Sequence, residues 1–159
     1  VNHFITECNL NGYPVEQSSM FYLAGAYNSY VDHEGNAFDI NDNIYLAKDA
    51  SFKLWSTGLC VFCPHLNTRN FHTPHFFGGK MVKIEDSVFT QGLLDNQYRF
   101  SALILLHNWI YSRGTKAEIK QALRIGQPIF FYDQVVNNVW DPINTREILH
   151  DIREEMARE

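Results

Sequence analysis

Nothing in the 159 residues approaches the roughly 18 consecutive apolar positions that a membrane helix needs. Residues Val1 to Gly12 also lack the basic-then-apolar pattern of a secretion signal, so a cytoplasmic protein with no membrane partner is expected. Cysteine is scarce: Cys8, Cys60 and Cys63 are an odd set, which argues against a disulfide framework and makes them packing thiols in a reducing compartment. Basic residues are few and scattered, 13 against 18 acidic ones for a formal charge of -5. No stripe is available to neutralise a phosphate backbone, so duplex nucleic acid is excluded as an expected partner.

What the chain does have is a 45% share of hydrophobic residues and 14% aromatics, enough for one buried core at this length. Residues 1–19 are polar without a sustained period and read as an N-terminal extension, with an edge strand expected around His3 to Thr6. The rest, 20–159, reads as one domain. Phe21-Tyr22-Leu23-Ala24, Leu59-Cys60-Val61-Phe62, Ala102-Leu103-Ile104-Leu105-Leu106 and Ile129-Phe130-Phe131 are short apolar runs bounded by breakers, as buried strands are. Between them the apolar spacing turns helical, predicting helices from Ile44 to Thr57, from an Asp86-Ser87 cap to about Arg99, from Thr115 onward, and from Thr145 to Ala157. Residues 27–43 and the stretch from Pro64 to about Lys83 read as loops, the second long enough to serve as a lid.

Four strand and helix alternations imply an α/β fold with a Rossmann-like (flavodoxin-like) parallel sheet, helices on both faces, and ligands beyond the carboxyl ends of the strands. The loops at 25–43, 63–85 and 107–114 should then share one cleft. His65 and Asn67 follow the second strand, where they can hydrogen-bond a sugar or a base. Tyr22, Tyr27, Phe71 and Trp109 are candidates to stack on a base.

Ser112-Arg113-Gly114-Thr115-Lys116-Ala117-Glu118 joins a strand to a helix and is the most informative stretch. Free N–H groups at a helix start beside a hydroxyl suit an anion, so Ser112 and Gly114 can hold a phosphate with Glu118 next to it. A carboxylate facing C1′ of a sugar can displace the base through an oxocarbenium-like transition state, leaving a glycosyl-enzyme for water or another base to resolve. For an arbitrary helix a solvated first-turn glutamate stabilised by the helix dipole is the more common case, and spacing alone does not reject it. Asp86, at the start of an antiparallel helix, is a candidate acid, although a plain capping role accounts for it too.

Phe21-Tyr22-Leu23-Ala24-Gly25-Ala26-Tyr27, then Cys63-Pro64-His65-Leu66-Asn67-Thr68, then Ser112-x-Gly114-x-x-x-Glu118 with Ala122, occur in an order that resembles the nucleoside 2-deoxyribosyltransferase-like family. The resemblance runs over about residues 20 to 132. It implies a nucleophilic glutamate at Glu118, a sugar pocket made from the loop of the first strand at Ala24 and Gly25, no cofactor, and homo-oligomers that complete the site. Family members that exchange bases tend to have an acidic residue where this chain has Ser112. The Ser-x-Gly-x-x-x-Glu form is similar to the hydrolases of deoxynucleoside 5′-monophosphates, so hydrolysis is implied over exchange. The chain departs from the family at Ser101, where an aspartate is common.

Two other readings remain. Cys60-x-x-Cys63-x-His65 with His72-x-x-His75 holds enough soft ligands for zinc, yet three residues of separation along a strand direct the two thiols to opposite faces, so no metal is expected. The same pocket can also bind or sequester a nucleotide without catalysis, since a fold does not fix a function.

Overall fold

A computed structural model describes residues 20–68, 73–137 and 142–158; the side chains at 86, 137 and 142–149 lie outside that description. The expected extension at 1–19 and its edge strand around His3 to Thr6 are outside the described residues.

In chain order the elements are β1 (Met20–Ala24), a hairpin of β2 (Tyr30–Val31) and β3 (Ala37–Phe38), α1 (Ile40–Ser56), β4 (Cys60–Phe62) and the short α2 (Pro64–Asn67). A second hairpin, β5 (His75–Phe77) and β6 (Lys80–Val82), leads to α3 (Asp86–Asp95), a 3-10 turn at Gln97–Arg99 and β7 (Ala102–Leu105). After another 3-10 turn at Trp109–Tyr111 come α4 (Arg113–Ile125), β8 (Ile129–Phe131), α5 (Tyr132–Asn137) and α6 (Pro142–Ala157). The four apolar runs pair as one parallel sheet in the order β4-β1-β7-β8, an α/β arrangement consistent with a Rossmann-like fold. The two hairpins form small antiparallel sheets of their own.

Strands buried on both faces must be apolar at every position, and β1 shows why its run is unbroken. Phe21 and Leu23 pack with Ala47, Ala50 and Leu54 of α1 and Val135 of α5. Tyr22 and Ala24 face the other way, toward Ile119 and Ala122 of α4 and Ile152 of α6. Each fully buried side chain of this size contributes about 1.5–3 kcal/mol of transfer free energy. That burial, rather than helix propensity, fixes the layers.

Several boundaries differ from those predicted, each for a local polar reason. Helix α1 starts at Ile40, not Ile44, because Asp39 and Asp42 form a reciprocal capping box: Asp42 N donates to Asp39 Oδ1 at 2.8 Å and Asp39 N to Asp42 Oδ2 at 2.9 Å. Apolar periodicity begins only one turn later. The loop expected at 27–43 therefore holds β2, β3 and the first turn of α1. The long loop expected at 64–83 holds α2 and the β5–β6 hairpin, whose turn has both glycines in the left-handed region, Gly78 at φ 55° and Gly79 at φ 77°.

The N-cap position of α3 is Glu85, with no side-chain capping bond, so the expected Asp86-Ser87 cap is not formed. That helix stops at Asp95, and the 3-10 turn replaces its predicted run to Arg99. Helix α4 begins two residues before Thr115, because Ser112 Oγ accepts from Thr115 N at 3.0 Å.

The chain leaves β1 for β4 on one side and then returns to β7 on the other. A crevice opens where the connections diverge, beyond the carboxyl ends of β1 and β7. Among the described residues, no helix is long and apolar enough to cross a membrane.

Candidate active site

The crevice holds a cavity of about 470 Å³. Its walls are the end of β1 and the loop through Asn28, the head of α2 with Pro64, His65 and Thr68, the α3 face of Phe89, Thr90, Leu93 and Leu94, and the segment from Tyr111 to Thr115 with Glu118. The three loop regions predicted to share a cleft thus all contribute to it.

The β1 loop is pinned on two sides. A Cβ on Gly25 would lie 2.7 Å from Leu106 Cδ1 and 2.8 Å from Asn108 Oδ1, so the close approach of the two strand ends requires glycine. Leu106 N donates to Ala24 O at 2.8 Å, and Ala26 N donates to Asn108 Oδ1 at 2.9 Å. On the other side His65 Nε2 lies 2.8 Å from Ala26 O. A carbonyl only accepts, so Nε2 carries the ring proton and Nδ1 is the bare nitrogen. Burial holds the His65 pKa below its usual value, which keeps the ring neutral. Tyr27 meets this imidazole edge-on at 5.5 Å.

Glu118 sits on α4 with its carboxylate at the cavity wall. The residue is half-buried, yet its Oε2 is sealed from solvent and has no hydrogen-bond partner. Burial pushes its pKa up to about 7, against the opposing pull of a hydrogen bond donated by the Tyr22 hydroxyl. Tyr22 is in turn held protonated, first by its own burial and then by the neighbouring Glu118 charge. Its ring is walled in by Phe62 at 5.8 Å and Phe100 at 5.1 Å. Tyr22 is therefore a core residue that orients Glu118, not a platform for a base. The nearby Cys63 thiol is pushed up to about 11, mainly by burial, so it stays protonated at neutral pH.

Buried polar atoms almost always find partners, and those that do not call for an explanation. Three such atoms, His65 Nδ1, Thr115 Oγ1 and Glu118 Oε2, belong to residues that line this one cavity.

Ser112, Arg113, Gly114 and Thr115 line the same cavity at the head of α4. Thirteen residues of helix point their N-terminal dipole there, and the Arg113 guanidinium adds a full charge. Ser112 Oγ is engaged as a cap by Thr115 N and keeps capacity for a further bond. Tyr111 completes this wall; it stacks on Tyr30 at 4.7 Å and 8°, and Tyr30 stacks on Phe38 at 5.0 Å, which docks the β2–β3 hairpin beside the cavity.

Of the residues singled out from the sequence, Ala24, Gly25, Tyr27, His65, Ser112, Gly114 and Glu118 come together around one cavity. Two do not. Trp109 is buried in the core on the α4 side, edge-on to Phe131 at 6.4 Å, because its 3-10 turn rotates the indole under the sheet. Asn67 ends α2 on the exposed side, away from the buried His65. Asp86 opens α3, but its side chain, like all of Phe71 and His72, lies outside the described residues. Cys63 packs with Val61 in the α1-side core while Cys60 is half-buried, so the thiols diverge, and no group of three metal-ligating side chains gathers among the described residues.

Sequence reasoning passed over Arg113, Thr115 and Tyr111. Arg113 was legible in principle, since it stands between the two residues picked for an anion. The orphaned Thr115 hydroxyl and the stacked Tyr111 show only in three dimensions. No family model, no curated protein and no solved structure matches the chain.

Proposed function

We propose that the chain is an N-glycosidase that cleaves the base from a deoxynucleotide, with Glu118 as nucleophile and 5′-monophosphate hydrolysis favoured over base exchange. The observation that carries this reading is a single buried carboxylate, oriented by Tyr22, at the wall of a cavity that also opens onto the head of α4. In the first step a Glu118 oxygen bonds to C1′ as the C1′–N bond breaks, and the electron pair leaves with the base, which takes up a proton. In the second step water attacks C1′ and gives up a proton to the acid that the first step left ionised, and the C1′–O bond to Glu118 breaks with its electron pair to restore the carboxylate. The 5′-phosphate rests on Ser112, Gly114 and Arg113 at the head of α4. The β1 loop at Ala24 and Gly25 brackets the sugar, and His65 and Tyr27 belong to the wall beside the sugar or base. Asp86, at the head of the helix whose later turns wall the cavity, is the proposed acid.

The proposal includes a Rossmann-like single domain, a cytoplasmic setting, and self-association through the β5–β6 hairpin. That hairpin exposes Phe76, Phe77, Met81 and Val82 on its two faces and has no sheet neighbour among the described residues. Isolated two-stranded hairpins are marginal, and a patch of several apolar side chains suits a second copy of the same surface.

The test is base release from a panel of deoxynucleosides and their 5′-monophosphates, read by chromatography, for the wild type and Glu118→Gln side by side. Release from monophosphates that falls by about a thousandfold or more in the variant is expected. Tight nucleotide binding without release or exchange by either protein would replace this reading with non-catalytic sequestration.

A further inference from the structure

Two buried glutamines tie the nucleophile's helix to the tyrosine that orients it. Gln97, in the 3-10 turn before β7, is fully buried, and Gln127, after α4, nearly so. Gln97 Nε2 donates to the main-chain oxygen of Glu118 at 2.7 Å and to Gln127 Oε1 at 3.0 Å. Gln127 Nε2 donates to the main-chain oxygens of Gln97 at 2.9 Å and Phe100 at 2.8 Å. These four acceptors fix which end of each amide is nitrogen.

The Phe100 ring in turn stands edge-on to Tyr22 at 5.1 Å and stacks with Phe62 at 5.3 Å. One amide pair therefore grips Glu118 by its backbone and, through Phe100, the aromatic packing that holds Tyr22. A carbonyl has two lone pairs, so the Glu118 oxygen can take the Gln97 proton beside its helical bond.

We propose that Gln97 and Gln127 act as positioning residues, a buried clamp that sets the Glu118 carboxylate against the Tyr22 hydroxyl. The proposal rests on the reading of Glu118 as nucleophile. The pair does more than satisfy itself, because two of its four bonds go outward, to Glu118 and to Phe100. It also leaves Gln97 Oε1 buried with no partner. An orphan of that kind destabilises the fold, a cost that an apolar side chain of the same volume would avoid. What an apolar replacement would lose is the fixed spacing between α4 and β1.

The titratable groups facing Glu118 are Tyr22 from β1 and Cys63 at the head of α2. On the elements packed against α4, Arg99 is turned to Asn96 and Tyr98, Asp95 to Gln91, and Lys116 of α4 itself to Glu155.

The experiment is the titration of the Glu118 carboxyl by carbon NMR in the full chain, in the wild type and in Gln97→Met, which keeps the volume and removes both donors. A midpoint displaced by half a pH unit or more is expected, upward where the Tyr22 bond is lost and downward where water enters. With substrate, kcat is expected to fall about tenfold with KM within twofold of the wild type. An unchanged midpoint in a folded variant, with only the denaturant midpoint lowered, would make the pair a stability element and overturn the proposal. Should Gln97→Met not fold, Gln127→Met carries the same test, since it keeps the Glu118 bond and cuts the tie to Phe100. The carboxyl titration needs no turnover, so a wild type that releases no base would sink the glycosidase reading and leave the clamp to be decided on its own.

Discussion

In the proposed role Glu118 would have to be ionised to attack, yet its surroundings favour the proton. Its pKa lies near 7 in the folded chain against 4.5 for an ordinary glutamate. Base release is therefore expected to climb as pH rises through about 7, and a pH–rate profile of kcat/KM checks this. Stability moves the opposite way. Below about 4.5 the group is protonated in both folded and unfolded chains and costs nothing; as pH rises toward 7 the unfolded chain ionises first, so stability is lost. Glu118→Gln removes that loss. The variant should match the wild type near pH 4.5 and exceed it by up to about 3 kcal/mol above pH 7, measured as denaturant midpoints across the range. A variant that is inactive but sturdier would be the signature of a strained functional group rather than a structural one.

Among the elements, the loop after β1 is held more tightly than any sequence pattern announces. A Cβ at Gly25 would fall within 2.9 Å of three atoms of Leu106 and Asn108. Gly25→Ala is expected to cost about 1–3 kcal/mol through overpacking and to loosen the bond from Ala26 N to Asn108, which thermal unfolding and ligand affinity together would register. The element pattern itself was legible for a plain reason: four strands buried on both faces have to be continuous apolar runs, and Ile129–Phe131 falls where its run predicts. Helix starts were less legible, because Asp39 and Ser112 begin their helices through side-chain oxygens before any apolar period appears. The α3 start was misplaced for the converse reason, a promising acidic residue at 86 where no capping bond forms from the N-cap Glu85. For the site, residues next to a strand end or a helix head were found, and Trp109 was misjudged because a 3-10 turn carried it under the sheet. Gln97 and Gln127 gave no signal at all, since their partnership spans 30 residues and has no period.

For the whole molecule, the exposed hairpin sets the expectation. Phe76 is 70% exposed, Phe77 67% and Met81 64%, an apolar surface on the order of several hundred Å² that water disfavours. Light scattering should find the wild type self-associating, and Phe76→Ser with Met81→Ser should shift it toward the monomer while leaving the parallel sheet intact by circular dichroism. A wild type that stays monomeric at micromolar and higher concentrations would remove the hairpin as an interface.

The cavity is closed by bonds between distant stretches of chain: His65 reaches Ala26 across 39 positions, and Asn108 reaches it across 82. A nascent chain that has not yet delivered Asn108 has no pocket to offer, and neither has a partly opened one. Whatever occupies the cavity will therefore favour the finished state alone and raise its stability by mass action, by about 2.7 kcal/mol at a hundred times its dissociation constant. An occupant of the cavity would thus act as a late folding partner, and its withdrawal would shorten the protein's life.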